Sequence, residues 1–77
     1  MSARLPRITG ADLVRALKRA GWLEIRQSGS HVHLAHPDRP GVILTVAVHA
    51  GRIVPVGTLK AILSRAGFSA DELRQLL

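Results

Sequence analysis

Residues 22–35 read Trp22-Leu23-Glu24-Ile25-Arg26-Gln27-Ser28-Gly29-Ser30-His31-Val32-His33-Leu34-Ala35. Two alternating runs flank a turn of small residues, which is the pattern of a β-hairpin. In the first run, residues 22–27, Leu23 and Ile25 alternate with Glu24 and Arg26, as in a half-buried strand. In the second, residues 31–35, Val32 and Leu34 alternate with His31 and His33. Downstream, residues 36–41 carry Pro37, Pro40 and Gly41, which break regular structure. Residues 42–48 are almost continuously apolar and β-branched, so a central or well-covered third strand is expected.

Helical patterns enclose the strands. Thr9 and Asp12 have capping-box spacing, Ile8 and Leu13 the spacing of a hydrophobic staple. Leu13, Ala16, Leu17 and Ala20 form one apolar stripe, and Gly21 is placed to stop the helix. A second helix begins at Val56 or Thr58 and runs to Ala66, with Leu59, Ile62, Leu63 and Ala66 as its stripe and Gly67 as its stop. Ser69 and Glu72 cap a short last helix, with Phe68 and Leu73 as its staple. The expected fold is α+β, in the order α-β-β-β-α plus a short C-terminal helix. A three-stranded antiparallel sheet then has helices on one face and leaves the other open.

The chain has 77 residues, so a single domain over 1–77 is expected. It has no cysteine, and neither a disulfide nor a thiolate metal site can staple it. The core must come from apolar packing, for which the 47% hydrophobic content is sufficient. Residues 1–7 lack the apolar stretch of a signal peptide, and no apolar run has membrane-spanning length. A cytoplasmic protein without membrane contact is the default reading. Eleven Lys/Arg against five Asp/Glu give a net charge of +6, which favours a polyanion or an acidic protein as partner. Trp22 and Phe68 are the only aromatics, too few for a base-stacking platform, and Trp22 reads as a packing residue.

If Val32 and Leu34 face the helices, His31 and His33 face outward. The same alternation sends Val42, Leu44, Val46 and Val48 inward and Ile43, Thr45, Ala47 and His49 outward. Three readings of the histidines are open. His31-x-His33-x-x-His36 has a metal-like look, although no cysteine and only Asp38 among carboxylates lies close by. The histidines can also be plain surface residues, the reading preferred for His33 and His36. The third reading is acid–base catalysis, since an unperturbed imidazole titrates near neutral pH. Ser28, Gly29 and Ser30 leave His31 unobstructed, and turn N–H groups there can hold a phosphate.

Several segments in order resemble the HicA (YcfA-like) family of toxin–antitoxin toxins. They are Ala20-Gly21-Trp22, the Gly-Ser-His signature within Gln27-Ser28-Gly29-Ser30-His31, and Val48-His49-Ala50-Gly51. Gly57-Thr58-Leu59-Lys60-Ala61-Ile62-Leu63 and Ala66-Gly67-Phe68-Ser69 follow. The resemblance implies a double-stranded-RNA-binding-like fold, an mRNA interferase (an endoribonuclease), and neutralisation by a HicB-like antitoxin. It also implies that His31, the histidine of Gly-Ser-His, is catalytic. Where many members have a proline two residues before the second histidine, this chain has Ala47.

These residues permit RNA cleavage without a metal or other cofactor, with His31 taking a proton from a ribose 2′-hydroxyl. Arg15, Lys18 and Arg19 on one helix face, with Thr58 and Lys60 on the second helix, are candidate phosphate contacts alongside Ser28, Gly29 and Ser30. A solvated helix face is an equal alternative for Arg15, Lys18 and Arg19. His31, Ile43 and Ala47 on the open face are the candidate antitoxin interface. Two rival functions use the same fold: an RNA-binding module without catalysis, and a domain that binds only protein.

Overall fold

A computed structural model describes residues 4–77. Residues 1–3, the beginning of the expected 1–77 domain, lie outside the described residues. The order is α1 (Gly10–Arg19), β1 (Leu23–Ser28), β2 (His31–Ala35), β3 (Ile43–Ala47), α2 (Val56–Ala66) and α3 (Ala70–Leu76). The expected α+β class and element order are therefore found. No helix among the described residues is long and apolar enough to cross a membrane.

Local chemistry fixes the helix ends. The Thr9 hydroxyl accepts from the Asp12 N–H at 3.1 Å, and the Asp12 carboxylate accepts from the Thr9 N–H at 3.1 Å. The Thr9 N–H, then the Thr9 hydroxyl, hold the Asp12 carboxyl below its ordinary value, helped by Arg15. This contribution to folding is complete above the ordinary carboxylate range and is lost as pH falls through the depressed value. Ser69 and Glu72 repeat the reciprocal pair at α3. Gly67 ends α2 in the left-handed conformation.

The sheet is antiparallel in the order β1-β2-β3. Val32 and Leu34 of β2 pair with Val46 and Leu44 of β3, and all four are buried. They pack beneath Leu13 and Leu17 of α1, Leu59 of α2 and Leu73 of α3. Among the described residues, no helix or strand covers the opposite sheet face.

Two strand expectations need correction. β3 is an edge strand, not a central one, and its burial alternates with Ile43, Thr45 and Ala47 exposed. The long apolar run arises because Val42 and Val48, just outside the strand, also pack partly against the core. β1 is exposed along its whole length instead of half-buried, with Leu23 60% and Ile25 55% accessible. A β-bulge at Ile25 breaks its alternation: Glu24 pairs with Leu34, but Arg26 pairs with His33. Glu24 consequently turns to the helix side and reaches Lys18 at 3.3 Å, and Leu23 turns to the open face, where Arg26 already lies.

Gly10 marks a close approach that sequence spacing does not reveal. A Cβ placed there falls inside contact distance of the Ala47 carbonyl oxygen and 3.1 Å from the Val48 Cα. The first turn of α1 is thus seated directly on the end of β3. Gly10→Val is expected to cost about 1–3 kcal/mol or more, because the obstacle is backbone and has no rotamer to change. A urea titration checks this, and an unchanged midpoint would show that the helix start is loosely seated.

Candidate functional site

The register sorts the open face into three cross-strand rows. Ser28, His31 and Ala47 form the first, Arg26, His33 and Thr45 the second, and Leu23, Ala35 and Ile43 the third. Rows on one face recur every second residue, about 7 Å apart. The face is therefore polar and cationic at the turn end and apolar at the other.

His31 opens β2 immediately after the turn. Gly29 has φ 59°, the positive value that glycine tolerates at the first central position of a type II′ hairpin. The Gln27 amide braces the turn by donating to the Gly29 carbonyl at 3.2 Å. Beyond it, the Val48 N–H donates to the Ser30 carbonyl at 2.7 Å, extending the ladder past His31. The His31 imidazole is exposed and stands between two small side chains, Ser28 and Ala47. Its exposure gives a bulky substrate access. The Gly29 and Ser30 N–H groups donate to no other backbone group among the described residues, which leaves both free for an anion.

The other histidines are placed differently. His33 shares a 2.9 Å hydrogen bond between its Nδ1 and the Thr45 hydroxyl. His36 is not the simple surface residue expected. Its Nε2 hydrogen-bonds the Ala20 carbonyl at 3.1 Å, its Nδ1 accepts from the Asp38 N–H at 3.0 Å, and its ring meets Trp22 edge-on. It ties the end of α1 to the loop after β2, and its ring is thereby committed away from His31 and His33. Among the described residues no group of three metal-capable side chains gathers. His49 is exposed in the loop after β3.

The candidate phosphate contacts are not all brought to His31. Arg15 pairs with Asp12, Lys18 with Glu24, and Arg19 donates to the Leu76 carbonyl at 2.6 Å. Each therefore has an intramolecular partner at the surface around α1. Arg15 and Arg19 line a groove with Leu77. Lys60 instead joins Arg4 and Arg7 around a shallow basic depression. Thr58 lies in the first turn of α2, across a cleft from Ala47.

Of the candidate antitoxin contacts, Ala47 is the direct neighbour of His31, while Ile43 is two rows away on the same face, about 14 Å along the strand. The sequence reading missed Arg26, Arg4 and Arg7. None of the three makes an ion pair among the described residues. Arg26 lies two residues before Ser28 and shares the histidine face by regular alternation from the turn, whereas the bulge moves Leu23 and Glu24, which precede it.

No curated protein matches the chain. The family model described as the HicA toxin of bacterial toxin-antitoxin matches residues 10–68, from the first residue of α1 to just past the end of α2. That span contains the whole sheet and well over half of the sequence, and the chain belongs to the HicA toxin family.

Proposed function

We propose that this toxin is an endoribonuclease that cleaves mRNA in the cytoplasm, with His31 as its catalytic group. The observation that carries the reading is an exposed imidazole between Ser28 and Ala47, with the Arg26 guanidinium, which has no ion-pair partner among the described residues, one row away. Neutral His31 removes the proton from a ribose 2′-hydroxyl. The 2′-oxygen attacks the adjacent phosphorus, the bond to the 5′-oxygen breaks, that oxygen takes up a proton from water, and the His31 imidazolium returns its proton to solvent. The products are a 2′,3′-cyclic phosphate and a free 5′-hydroxyl. Arg26 and the turn N–H groups of Gly29 and Ser30 stabilise the charge that grows on the phosphate. No metal or other cofactor enters this sequence of steps.

RNA is held through its backbone by Lys60 and the backbone N–H of Thr58 at the start of α2, together with Arg4 and Arg7. Arg15, Lys18 and Arg19 contribute only where RNA displaces their partners. Exposed ion pairs are worth about 0–1 kcal/mol, so such exchange is cheap. A HicB-like antitoxin covers the open face, contacting His31, Ala47 and Ile43. The third row supports this reading, because Leu23 and Ile43 expose an apolar surface that an RNA backbone does not use.

An RNA oligonucleotide with one 2′-deoxy position tests the chemistry. Cleavage is expected to stop at that linkage alone, to leave cyclic phosphate ends elsewhere, and to persist in EDTA. Binding without any cleavage would favour the non-catalytic RNA-binding module, and no RNA affinity at low salt would favour the protein-binding domain.

A further inference from the structure

The geometry points to a ribonucleotide subsite in the cleft between the free edge of β3 and the first turn of α2, which takes the RNA residue next to the cleaved phosphate. This inference rests on the reading of the protein as an RNA-cleaving enzyme. The cleft has a volume of about 290 Å³. That lies near the lower end of small-molecule sites, the size range suited to a single nucleotide.

Its composition suits an unstacked base. Ile53, Pro55 and Ile62 supply apolar walls, and His49, Arg52 and Thr58 supply the polar groups. A base has two apolar faces and a hydrogen-bonding edge, so it needs walls and a few directed polar groups. The Thr58 hydroxyl both donates and accepts, and imidazole can do either. The Arg52 guanidinium makes no ion pair among the described residues, and it suits a flanking phosphate.

Position supports the same occupant. Ala47 belongs both to the cleft lining and to the row of His31, so one residue joins the cleft to that row. A strand of RNA crossing His31 reaches the cleft with its next residue. The cleft is also firmly built. Its loop wall is pinned to the N-terminal segment by the Val54 N–H donating to the Ile8 carbonyl at 2.8 Å, and by the Thr9–Ile53 bridge. Past that wall lie Arg4, Arg7 and Lys60, which continue the cationic surface. Since three separate segments build the cleft, no contiguous motif announces it.

Two variants and two readouts test the subsite. Ile53→Trp fills the cleft from a partly exposed position, and Thr58→Val removes the hydroxyl at constant shape. The first readout is NMR titration of the full chain with the four nucleoside 3′-monophosphates, which needs no turnover. Shifts are expected at Ala47, Ile53 and Thr58, with affinity at least tenfold weaker in a folded Ile53→Trp protein. The second is mapping of cleavage sites on a random RNA pool. Thr58→Val is expected to change the preference among the four bases beside the cut by about tenfold, the value of one hydrogen bond. Shifts confined to other surfaces, or shifts at the cleft only on adding the antitoxin, would overturn the subsite. So would an unchanged base preference in both variants while cleavage continues, an outcome that leaves the ribonuclease reading standing. Nucleotide binding at the cleft in a protein that never cuts RNA would instead remove the ribonuclease reading and keep the site.

Discussion

His31→Ala is expected to lower RNA cleavage by at least about a hundredfold, because a positioned general base contributes roughly 10²–10⁴ in rate. The fold is expected to survive. The imidazole is exposed and its row neighbours are Ser28 and Ala47, so its removal leaves no cavity. Surface substitutions of this kind stay within about 0.5 kcal/mol. Circular dichroism and melting, measured beside cleavage rates and growth inhibition, separate lost chemistry from lost structure. The other histidines serve as internal controls. His33→Ala removes only the hydrogen bond to Thr45, and cleavage is expected to change little. His36→Ala removes the tie between Ala20 and Asp38, so it is expected to lower the melting temperature and spare the rate of the folded fraction. Wild-type cleavage by a folded His31→Ala protein would overturn the catalytic assignment.

Readable features of the sequence were those encoded over three or four residues. Thr9 with Asp12 and Ser69 with Glu72 announce helix starts because the capping partners are neighbours in the chain. The Gly29 turn and the alternation of Val32 and Leu34 with His31 and His33 place the catalytic candidate on the open face before any coordinates. What escaped depends on contacts between distant segments. One extra residue at Ile25 shifts everything before it to the other face, yet alternating Leu23, Glu24, Ile25 and Arg26 look perfectly regular. Leu23 and Glu24 therefore lie on the faces opposite to those that alternation assigns them. The charges of α1 were read as one basic face, but Glu24 and the carbonyl of Leu76 come from other elements to answer Lys18 and Arg19. Gly10 carries no sign in the sequence that its hydrogen faces the backbone of β3.

Trp22→Ala is expected to remove a large part of the stability of the domain. The indole follows the stop of α1 and is only 2% accessible. Its N–H in the backbone donates to the Leu17 carbonyl at 3.0 Å, so the residue is anchored to the last turn of the helix. Its ring meets the His36 imidazole edge-on with centroids 5.3 Å apart. Emptying such a site costs about 3–5 kcal/mol. A chain of 77 residues has about 4–12 kcal/mol in total at typical values per residue. The melting temperature should therefore fall by at least about 12 °C. Trp22→Phe keeps an aromatic body in the same space and is expected to recover most of that loss. The pair also decides what tryptophan does in a protein proposed to bind RNA. A packing residue loses RNA affinity only in proportion to the unfolded fraction, so binding measured below the lowered melting temperature should match wild type. A Trp22→Ala protein that melts like wild type but binds RNA weakly would reverse the assignment, making the indole a base contact that the edge of the core merely shelters.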